Sequence, residues 1–193
     1  MGNRTAELPP LTGISHLIRE LRYQEAARQT LGLLLMPLYA LLARPLPLLF
    51  AIGTVVSVIG AVVRLYASGY IVKNQQLATD GPYSLVRHPL YTGNLLLLIG
   101  FTIASGLWWT VLVSVWFWWF YYPTAVEYED RKLRRLFGDR CTEWQRATPA
   151  VVPRSLVPTR GGTWSLRTSL SRNVEPLVLA YSFFWLGWIY RQL

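Results

Sequence analysis

The stretch that decides the fold runs from Gly81 to Gly93 and reads GPYSLVRHPLYTG. It holds His88, one of only two histidines in the chain, between an arginine and a proline. Pro89 suits the first turn of a helix, because its φ is already set for that position and its missing N–H would have no partner there. An uncharged apolar run follows at once. We therefore expect a helix that begins with a polar histidine cluster at its N-terminal end.

Composition points to a membrane protein. Of the 193 residues, 52% are hydrophobic and 15% are charged, whereas soluble domains carry about 25% charged residues. The segments 45–63 and 103–125 contain no charged side chain, and both approach the roughly 20 apolar residues that cross a bilayer. These runs predict an all-α, polytopic membrane protein.

The apolar runs predict about five transmembrane helices. The spans fall at about 30–43, 46–66, 90–105, 107–125 and 174–190. The third and fourth join at Gly106, and a connection this short makes a tight helical hairpin whose outer ends emerge on one membrane face. Gly53 and Gly60 in the second span favour close helix contact.

The domain organisation follows from these spans. Residues 1–29 form an amphipathic N-terminal segment, in which 14–29 is either an interfacial helix or simply the polar run-in to the first span. Residues 30–193 form a single membrane domain. Its segments 67–89 and 127–172 face the cytoplasm, and 127–172 is expected to be mostly helical, with breaks at its prolines.

The charge distribution predicts the orientation and argues against nucleic acid as a partner. The net charge of +9 is concentrated between the apolar runs, with ten Lys or Arg between Arg131 and Arg172. This asymmetry is typical of cytoplasmic loops. We expect a protein of the prokaryotic inner membrane with a cytoplasmic N-terminus, in contact with membrane lipids and with no obligate protein partner.

Histidine and cysteine usage limits the chemistry. The single Cys141 excludes an internal disulfide, and one Cys with two His predicts no metal site. We interpret Cys141 as a small buried hydrophobe and His16 as a surface residue. The chemistry is therefore expected around His88.

A second polar cluster follows the fourth predicted span, with Glu127, Glu129 and Asp130. Carboxylates at a membrane boundary are costly unless they are paired or used. One interpretation is a surface helix with Glu127–Arg131 and Asp130–Arg134 pairs at i,i+4. The other brings this cluster beside His88 through the hairpin. In the first case, Arg87 and His88 would simply contact lipid headgroups.

Taken together, the two clusters resemble the isoprenylcysteine carboxyl methyltransferase and phospholipid methyltransferase superfamily. The matching positions are Gly81-Pro82-Tyr83, Arg87-His88-Pro89-Leu90-Tyr91-Thr92-Gly93, Glu129-Asp130, Leu133, Phe137-Gly138 and Trp144. The resemblance covers about residues 64–153. It implies S-adenosylmethionine as methyl donor, S-adenosylhomocysteine as product, and a lipid-like acceptor.

The resemblance also implies roles for individual residues. Glu129 corresponds to the family's first Glu, which lies at the methyl-transfer end of the site. The cofactor-binding positions that carry over are Leu77, Ala78, Tyr83, His88, Pro89 and Tyr91, with Gln75 and Gln76 beside them. Aromatic faces and carboxylates are suitable neighbours for a sulfonium cation.

This sequence departs from the family pattern at three positions. Asp130 replaces the second Glu, and Cys141 stands where Tyr is frequent. Ala125 occupies the position of an arginine that lies near the substrate carboxylate in prenylcysteine-methylating members, so Arg131 or another arginine would have to replace it.

Several functions follow from these observations. Carboxyl O-methylation of a prenylcysteine-like acceptor is the first expectation, and N-methylation of phosphatidylethanolamine is the second. An NADPH-dependent membrane reductase and a non-enzymatic scaffold or transporter are the remaining alternatives.

Overall fold

The computed structural model describes residues 4–70, 77–159, 161–171 and 174–193, and within them every regular element is a helix. In chain order these are α1 (Gly13–Tyr23), α2 (Glu25–Leu42), α3 (Pro47–Ser68), α4 (Pro82–Leu85), α5 (Pro89–Ala104), α6 (Trp109–Ala147), α7 (Leu166–Ser171) and α8 (Glu175–Tyr190). The all-α prediction is confirmed for this part of the chain.

Among the described residues, α3 is the one helix that is both long and apolar enough to cross a bilayer. Helix α5 is apolar but has only 16 residues. At 1.5 Å per residue it measures about 24 Å, short of the roughly 30 Å hydrocarbon core. The arrangement with five spans therefore stays a prediction, although the helices lie close to the predicted ranges.

Glycines bring α3 and α5 into backbone contact. A Cβ added to Gly60 would lie 2.8 Å from the carbonyl oxygen of Gly93, and a Cβ on Gly53 would lie 2.5 Å from that of Gly100. Only glycine permits helices to approach this closely. The close contact predicted at Gly53 and Gly60 is confirmed, and it fixes α5 against α3.

Helices α5 and α6 form the predicted hairpin. Gly106 turns the chain between them with a φ of 68°, a value that glycine adopts at little cost. The backbone N–H of Arg44 donates to the carbonyl of Ser105 at 2.8 Å, which ties the turn to the end of α2. The hairpin places the start of α5 beside the middle of α6.

Two boundaries differ from the sequence predictions. The helix expected over 14–29 is broken at Gln24, whose ψ of 104° is extended, because α1 turns away to dock on α6. There Arg22 Nε donates to the carbonyl of Phe120 at 3.0 Å, and Thr124 Oγ1 donates to the carbonyl of Arg22 at 2.8 Å. Residues 25–29 instead continue directly into α2.

The second difference concerns α6, which runs without interruption from the predicted fourth span into the charged segment. Its first break is at Gly138, with φ 59° and ψ −137°. Within the described part of 127–172, helix continues only to Ala147 and resumes in α7. The expectation of a mostly helical segment with breaks at its prolines is therefore confirmed for the described residues, since Pro149, Pro153 and Pro158 lie in the interruption between Ala147 and α7.

Candidate active site

A cavity of about 750 Å³ opens between α2, α5, α6 and α8. This volume is within the range of small-molecule and cofactor sites. Seven of the nine predicted site residues line it: Leu77, Ala78, Tyr83, His88, Pro89, Tyr91 and Glu129. The other two, Gln75 and Gln76, lie outside the described residues. The hairpin thus brings the histidine cluster and the acidic cluster to one place.

The side chains of Arg87 and His88 converge on Asp130, and we call these three residues the Asp130 cluster. Arg87 Nη2 lies 2.7 Å from Asp130 Oδ2, and His88 Nε2 lies 2.9 Å from Asp130 Oδ1. An ionised carboxylate can only accept hydrogen bonds, so His88 Nε2 carries a proton. Asp130 therefore pairs across the hairpin, and the i,i+4 pair with Arg134 is not formed.

Electrostatics favour the ionised form of Asp130. Burial alone would raise the pKa of its carboxyl, but the hydrogen bonds and charges of His88 and Arg87 outweigh burial and lower the pKa below its ordinary value. An opposite charge within hydrogen-bond distance favours the charged form in this way. The Asp130 cluster is therefore an ion-paired support at the start of α5.

The backbone of this loop is held from a second direction. The N–H groups of Arg87 and His88 donate to the carbonyls of Pro149 and Ala150 at 2.8 and 2.9 Å. Arg87 Nη1 also donates to the carbonyls of Gln145 and Thr148, both at 2.7 Å. The break at Gly138 folds the end of α6 back over the loop. The loop conformation is thus fixed by both side-chain and backbone contacts.

The three carboxylates at the start of the charged segment have different surroundings. Glu127 accepts a hydrogen bond from Tyr23 OH at 2.9 Å and lies 3.6 Å from Arg131 Nε, which confirms that i,i+4 pair. Asp130 belongs to the Asp130 cluster. Half-buried Glu129 lines the cavity and forms no hydrogen bond or ion pair with the described residues. Glu129 is therefore the carboxylate available to a bound molecule.

Aromatic rings form the wall next to Glu129. The Tyr91 ring stacks on the His88 imidazole with centroids 5.4 Å apart and meets the Tyr122 ring edge-on at 5.4 Å. The guanidinium of Arg28 lies 5.0 Å from the Tyr91 ring centroid. Nearby, burial and the charge of Glu175 raise the pKa of the Tyr83 phenol, so Tyr83 stays protonated at neutral pH.

A buried ion pair closes the side of the cavity near α8. Arg64 Nη2 and Nε lie 2.8 and 3.0 Å from the two oxygens of Glu175, which is fully buried. Ser68 Oγ donates to the same carboxylate at 2.9 Å, and Asn94 accepts from Arg64 Nη1. The bidentate geometry satisfies the charges where water is excluded. This pair joins α3 to α8.

Below the polar groups the cavity continues as an apolar channel. We use this name for the part lined by Gly32, Leu35, Met36, Leu97, Phe101 and Phe117. Tyr39 lies at its far end, with its hydroxyl 2.8 Å from Ser114 Oγ. Arg28 and Tyr39 are 11 residues apart on α2, which corresponds to about 16 Å along the helix. The cavity therefore joins a charged end to an apolar end.

Comparison with known proteins agrees with this geometry. A family model described as phospholipid methyltransferase matches residues 46–140, which include the motif positions from Gly81 to Gly138. Protein-S-isoprenylcysteine O-methyltransferase B of Arabidopsis thaliana is 28% identical over 86 residues, or 42% of this chain and 41% of that protein. The chain belongs to the isoprenylcysteine carboxyl methyltransferase and phospholipid methyltransferase superfamily.

Two bacterial proteins match a larger part of this chain than the Arabidopsis thaliana protein does. A cobalt-zinc-cadmium resistance protein of Cupriavidus metallidurans is 37% identical over 136 residues, covering 68% of this chain and 62% of that protein. A nickel-cobalt-cadmium resistance protein of Alcaligenes xylosoxydans xylosoxydans is 30% identical over 134 residues, covering 67% and 62%. The chain thus spans less than two thirds of these relatives. No solved structure gives a significant match.

The cavity suits the methyl donor that the superfamily implies. Its volume is sufficient, and the Tyr91 ring and the Glu129 carboxylate are the kinds of group that stabilise a sulfonium cation. In the described part of the chain, no group of three or more His, Cys, Asp or Glu is placed to hold a metal ion.

Sequence reasoning missed Arg28 and Glu175. Both come from helices outside the two motif blocks, and Glu175 lies 111 residues from its partner Arg64. In the sequence Arg64 is simply an ionisable residue near the end of the predicted span 46–66. The available signal was that an isolated charge in an apolar helix needs a buried partner, and Glu175 is the acidic residue at the start of α8.

Proposed function

We propose that this protein is an integral membrane methyltransferase that uses S-adenosylmethionine to methylate a lipid-like acceptor at the cytoplasmic face. Carboxyl O-methylation of a prenylcysteine-like molecule is the reaction we favour. The observation that carries this proposal is the cavity itself, in which Glu129, Tyr91 and His88 lie at the polar end of an apolar channel. Such a cavity suits a water-soluble donor and an amphipathic acceptor together.

The main task of these residues is positioning. The donor supplies a methyl group on a positively charged sulfur, and transfer requires the acceptor atom, the methyl carbon and that sulfur in line. In the proposed reaction the new bond joins an acceptor oxygen to the methyl carbon, and the sulfur–carbon bond breaks with its electron pair left on sulfur. The rings of Tyr91 and Tyr122 and the fixed loop around His88 define the shape in which this alignment occurs.

The role of Glu129 depends on the acceptor. A carboxylate is already anionic and needs no base, so Glu129 would then act through its negative charge. An amine must lose a proton, and in our proposal Glu129 accepts it. The pH dependence of methyl transfer therefore differs between the two acceptor classes.

The outer surface of the helices supports a membrane location. Large apolar side chains are exposed along four helices: Leu34, Leu38 and Leu41 on α2, Leu48, Val55 and Val62 on α3, Leu112, Val115 and Trp119 on α6, and Leu177 and Phe184 on α8. Exposed apolar surface of this extent marks contact with lipid or with another protein. We assign it to lipid, with the Asp130 cluster on the cytoplasmic side.

Phospholipid N-methylation is the second candidate, and the description of the matching family model favours it. The apolar channel admits an acyl chain as well as a prenyl chain. The names of the two metal-resistance relatives describe resistance and specify no acceptor.

The decisive experiment measures cofactor binding and methyl transfer on the detergent-purified chain. We expect calorimetry to show micromolar binding of S-adenosylhomocysteine that weakens at least about ten-fold in Tyr91→Ala, through loss of the aromatic wall. Tyr190→Ala is the matched control, because this exposed ring lies outside the cavity.

Acceptor identity is tested with labelled S-adenosylmethionine. N-acetyl-S-farnesyl-cysteine probes O-methylation, and phosphatidylethanolamine vesicles probe N-methylation. Transfer to the first supports the proposal, and transfer to the second alone replaces it with the alternative. Folded wild-type protein that binds no cofactor would contradict both.

A further inference from the structure

Five cationic side chains line the cavity: Arg4, Arg28, Arg64, Arg87 and Lys132. Three of them have a close carboxylate partner: Arg4 pairs with Glu25, Arg64 with Glu175, and Arg87 with Asp130. Their charges are therefore already used within the protein. Arg28 has only a 4.0 Å contact with Glu25, and Lys132 forms no ion pair with the described residues, so these two are the cations left for a bound anion.

Arg28 is the more deeply buried of these two, with 7% of its surface exposed. Its nearest carboxylate oxygen among the described residues is Oε1 of Glu25, 4.0 Å away. Glu25 already accepts hydrogen bonds from Arg4 and from Gln29 Nε2, the latter at 2.9 Å. A buried guanidinium without a close anion is costly, so a ligand that supplies an anion here would gain strongly.

The guanidinium of Arg28 is also held in place before any ligand binds. It lies 5.0 Å from the Tyr91 ring centroid and 5.4 Å from that of Tyr122. Stacking of Arg on aromatic faces is favourable and limits the rotamers that the side chain samples. Binding a carboxylate at this point would therefore cost little additional ordering.

The position of Arg28 along α2 relates it to the acceptor. Gly32, Leu35 and Met36, one to two turns further along the helix, line the apolar channel. An amphiphile whose chain fills that channel would hold its headgroup beside Arg28, on the side of the cavity that also holds Glu129. Lys132 lines the cavity from α6, three residues after Glu129, whereas Arg28 lies on the same helix as the channel residues Gly32, Leu35 and Met36.

We propose that Arg28 binds the carboxylate of an amphiphilic acceptor whose chain lies in the apolar channel. This inference rests on the proposed function and deepens it by selecting anionic, single-chain acceptors. Arg28 would supply from α2 the positive charge that is absent at Ala125 on α6. Arg131 cannot do so, because it pairs with Glu127 and Glu7 outside the cavity.

The amino-acid end of the methyl donor also carries a carboxylate, so the test separates the two sources. Binding of N-acetyl-S-farnesyl-cysteine, of its uncharged carboxamide and of S-adenosylhomocysteine is measured by calorimetry, without turnover. The variants are Arg28→Met, Arg28→Lys and Lys132→Met. Arg146→Met serves as the control for loss of a surface charge, because Arg146 is exposed and lies outside the cavity.

We expect wild-type protein to bind the carboxylate at least about ten-fold more tightly than the carboxamide. Only the carboxylate can form a charge-assisted hydrogen bond with buried Arg28. Arg28→Met should remove this preference and leave S-adenosylhomocysteine binding unchanged, which also shows that the variant is folded. Arg28→Lys should keep part of the preference, and Arg146→Met all of it.

Three results would overturn the proposal: a preference that survives Arg28→Met, a loss confined to S-adenosylhomocysteine binding in that variant, or a preference that disappears in Lys132→Met instead. Failure of the proposed function gives a different result from failure of the Arg28 proposal. In that case wild-type protein binds no S-adenosylhomocysteine, whatever the outcome with the amphiphiles.

Discussion

On the side that faces α3, helix α5 presents Gly93 and Gly100, whereas on the cavity side it presents Tyr91 and Asn94. The first side meets its neighbour backbone against backbone, and a Cβ on Gly100 would come within 2.6 Å of the carbonyl oxygen of Gly53. The second side leaves a space of about 750 Å³. The same helix therefore serves as a fixed frame on one side and as the wall of a site on the other.

This difference shows how the molecule separates stability from function. Close packing and paired charges hold α5 against α3 and fix the loop around His88. Of the groups that line the cavity, Glu129 has no hydrogen bond or ion pair with the described residues, and the nearest carboxylate oxygen to Arg28 is 4.0 Å away. Substitutions on the side facing α3 should therefore lower stability, whereas substitutions on the cavity side should lower activity and leave stability nearly unchanged. The following tests are ordered by their expected effect on the free energy of unfolding.

Gly100→Ala should have the largest effect on stability. The added methyl group meets backbone atoms of α3, which cannot rotate away, so the helices must separate at a cost of about 3 kcal/mol. Thermal unfolding followed by circular dichroism in detergent measures this loss. Gly187→Ala is the matched control, because a Cβ there has no neighbour within 4 Å, and alanine should slightly stabilise α8.

Asp130→Asn should destabilise by about 2 kcal/mol, because the partly buried guanidinium of Arg87 loses its counterion. Chemical denaturation of the two proteins gives the difference directly. Glu143→Gln, on an exposed part of the same helix, should change little. Equal stability of Asp130→Asn and wild type would mean that the Asp130 cluster does not support the frame.

Acid should remove the contribution of the Asp130 cluster. The pKa of Asp130 is lower in the folded protein than its ordinary value of 3.8, so the unfolded chain binds more protons in acid. The stabilisation is therefore complete above about pH 4 and is lost as the pH falls below that value. The stability difference between wild type and Asp130→Asn should shrink over this range. A difference that stays constant down to pH 2 would contradict the lowered pKa.

Glu129→Gln should leave the free energy of unfolding within about 0.5 kcal/mol of wild type, because the carboxylate loses no hydrogen bond or ion pair with the described residues. Methyl transfer to an amine acceptor should fall about a hundred-fold through loss of the proton acceptor. Radiometric turnover and thermal unfolding on the same preparation separate the two effects. A clear loss of stability would contradict this prediction and would show that Glu129 contributes to the stability of the fold.

The two motif blocks were enough to predict which of their residues line the cavity. His88, Tyr91 and Glu129 could be brought together because one short turn at Gly106 relates their helices. Their individual roles stay predictions. Close contact at Gly53 and Gly60 was also foreseeable, since small residues in apolar helices favour it.

The remaining features depend on long-range pairing that no local pattern records. Asp130 could pair with Arg134 on its own helix or with Arg87 across the hairpin, and only the folded backbone decides between them. The break at Gln24 has neither Gly nor Pro to mark it. It arises because α1 packs against α6, about a hundred residues further along the chain.

The Arg64–Glu175 ion pair has a consequence for how the protein is made. Glu175 is synthesised 111 residues after Arg64, so the growing chain carries an uncompensated cation in an apolar helix until α8 emerges. Packing of α3 in its native position is thereby coupled to synthesis of α8. A chain that stops before α8 therefore leaves Arg64 without its carboxylate partner.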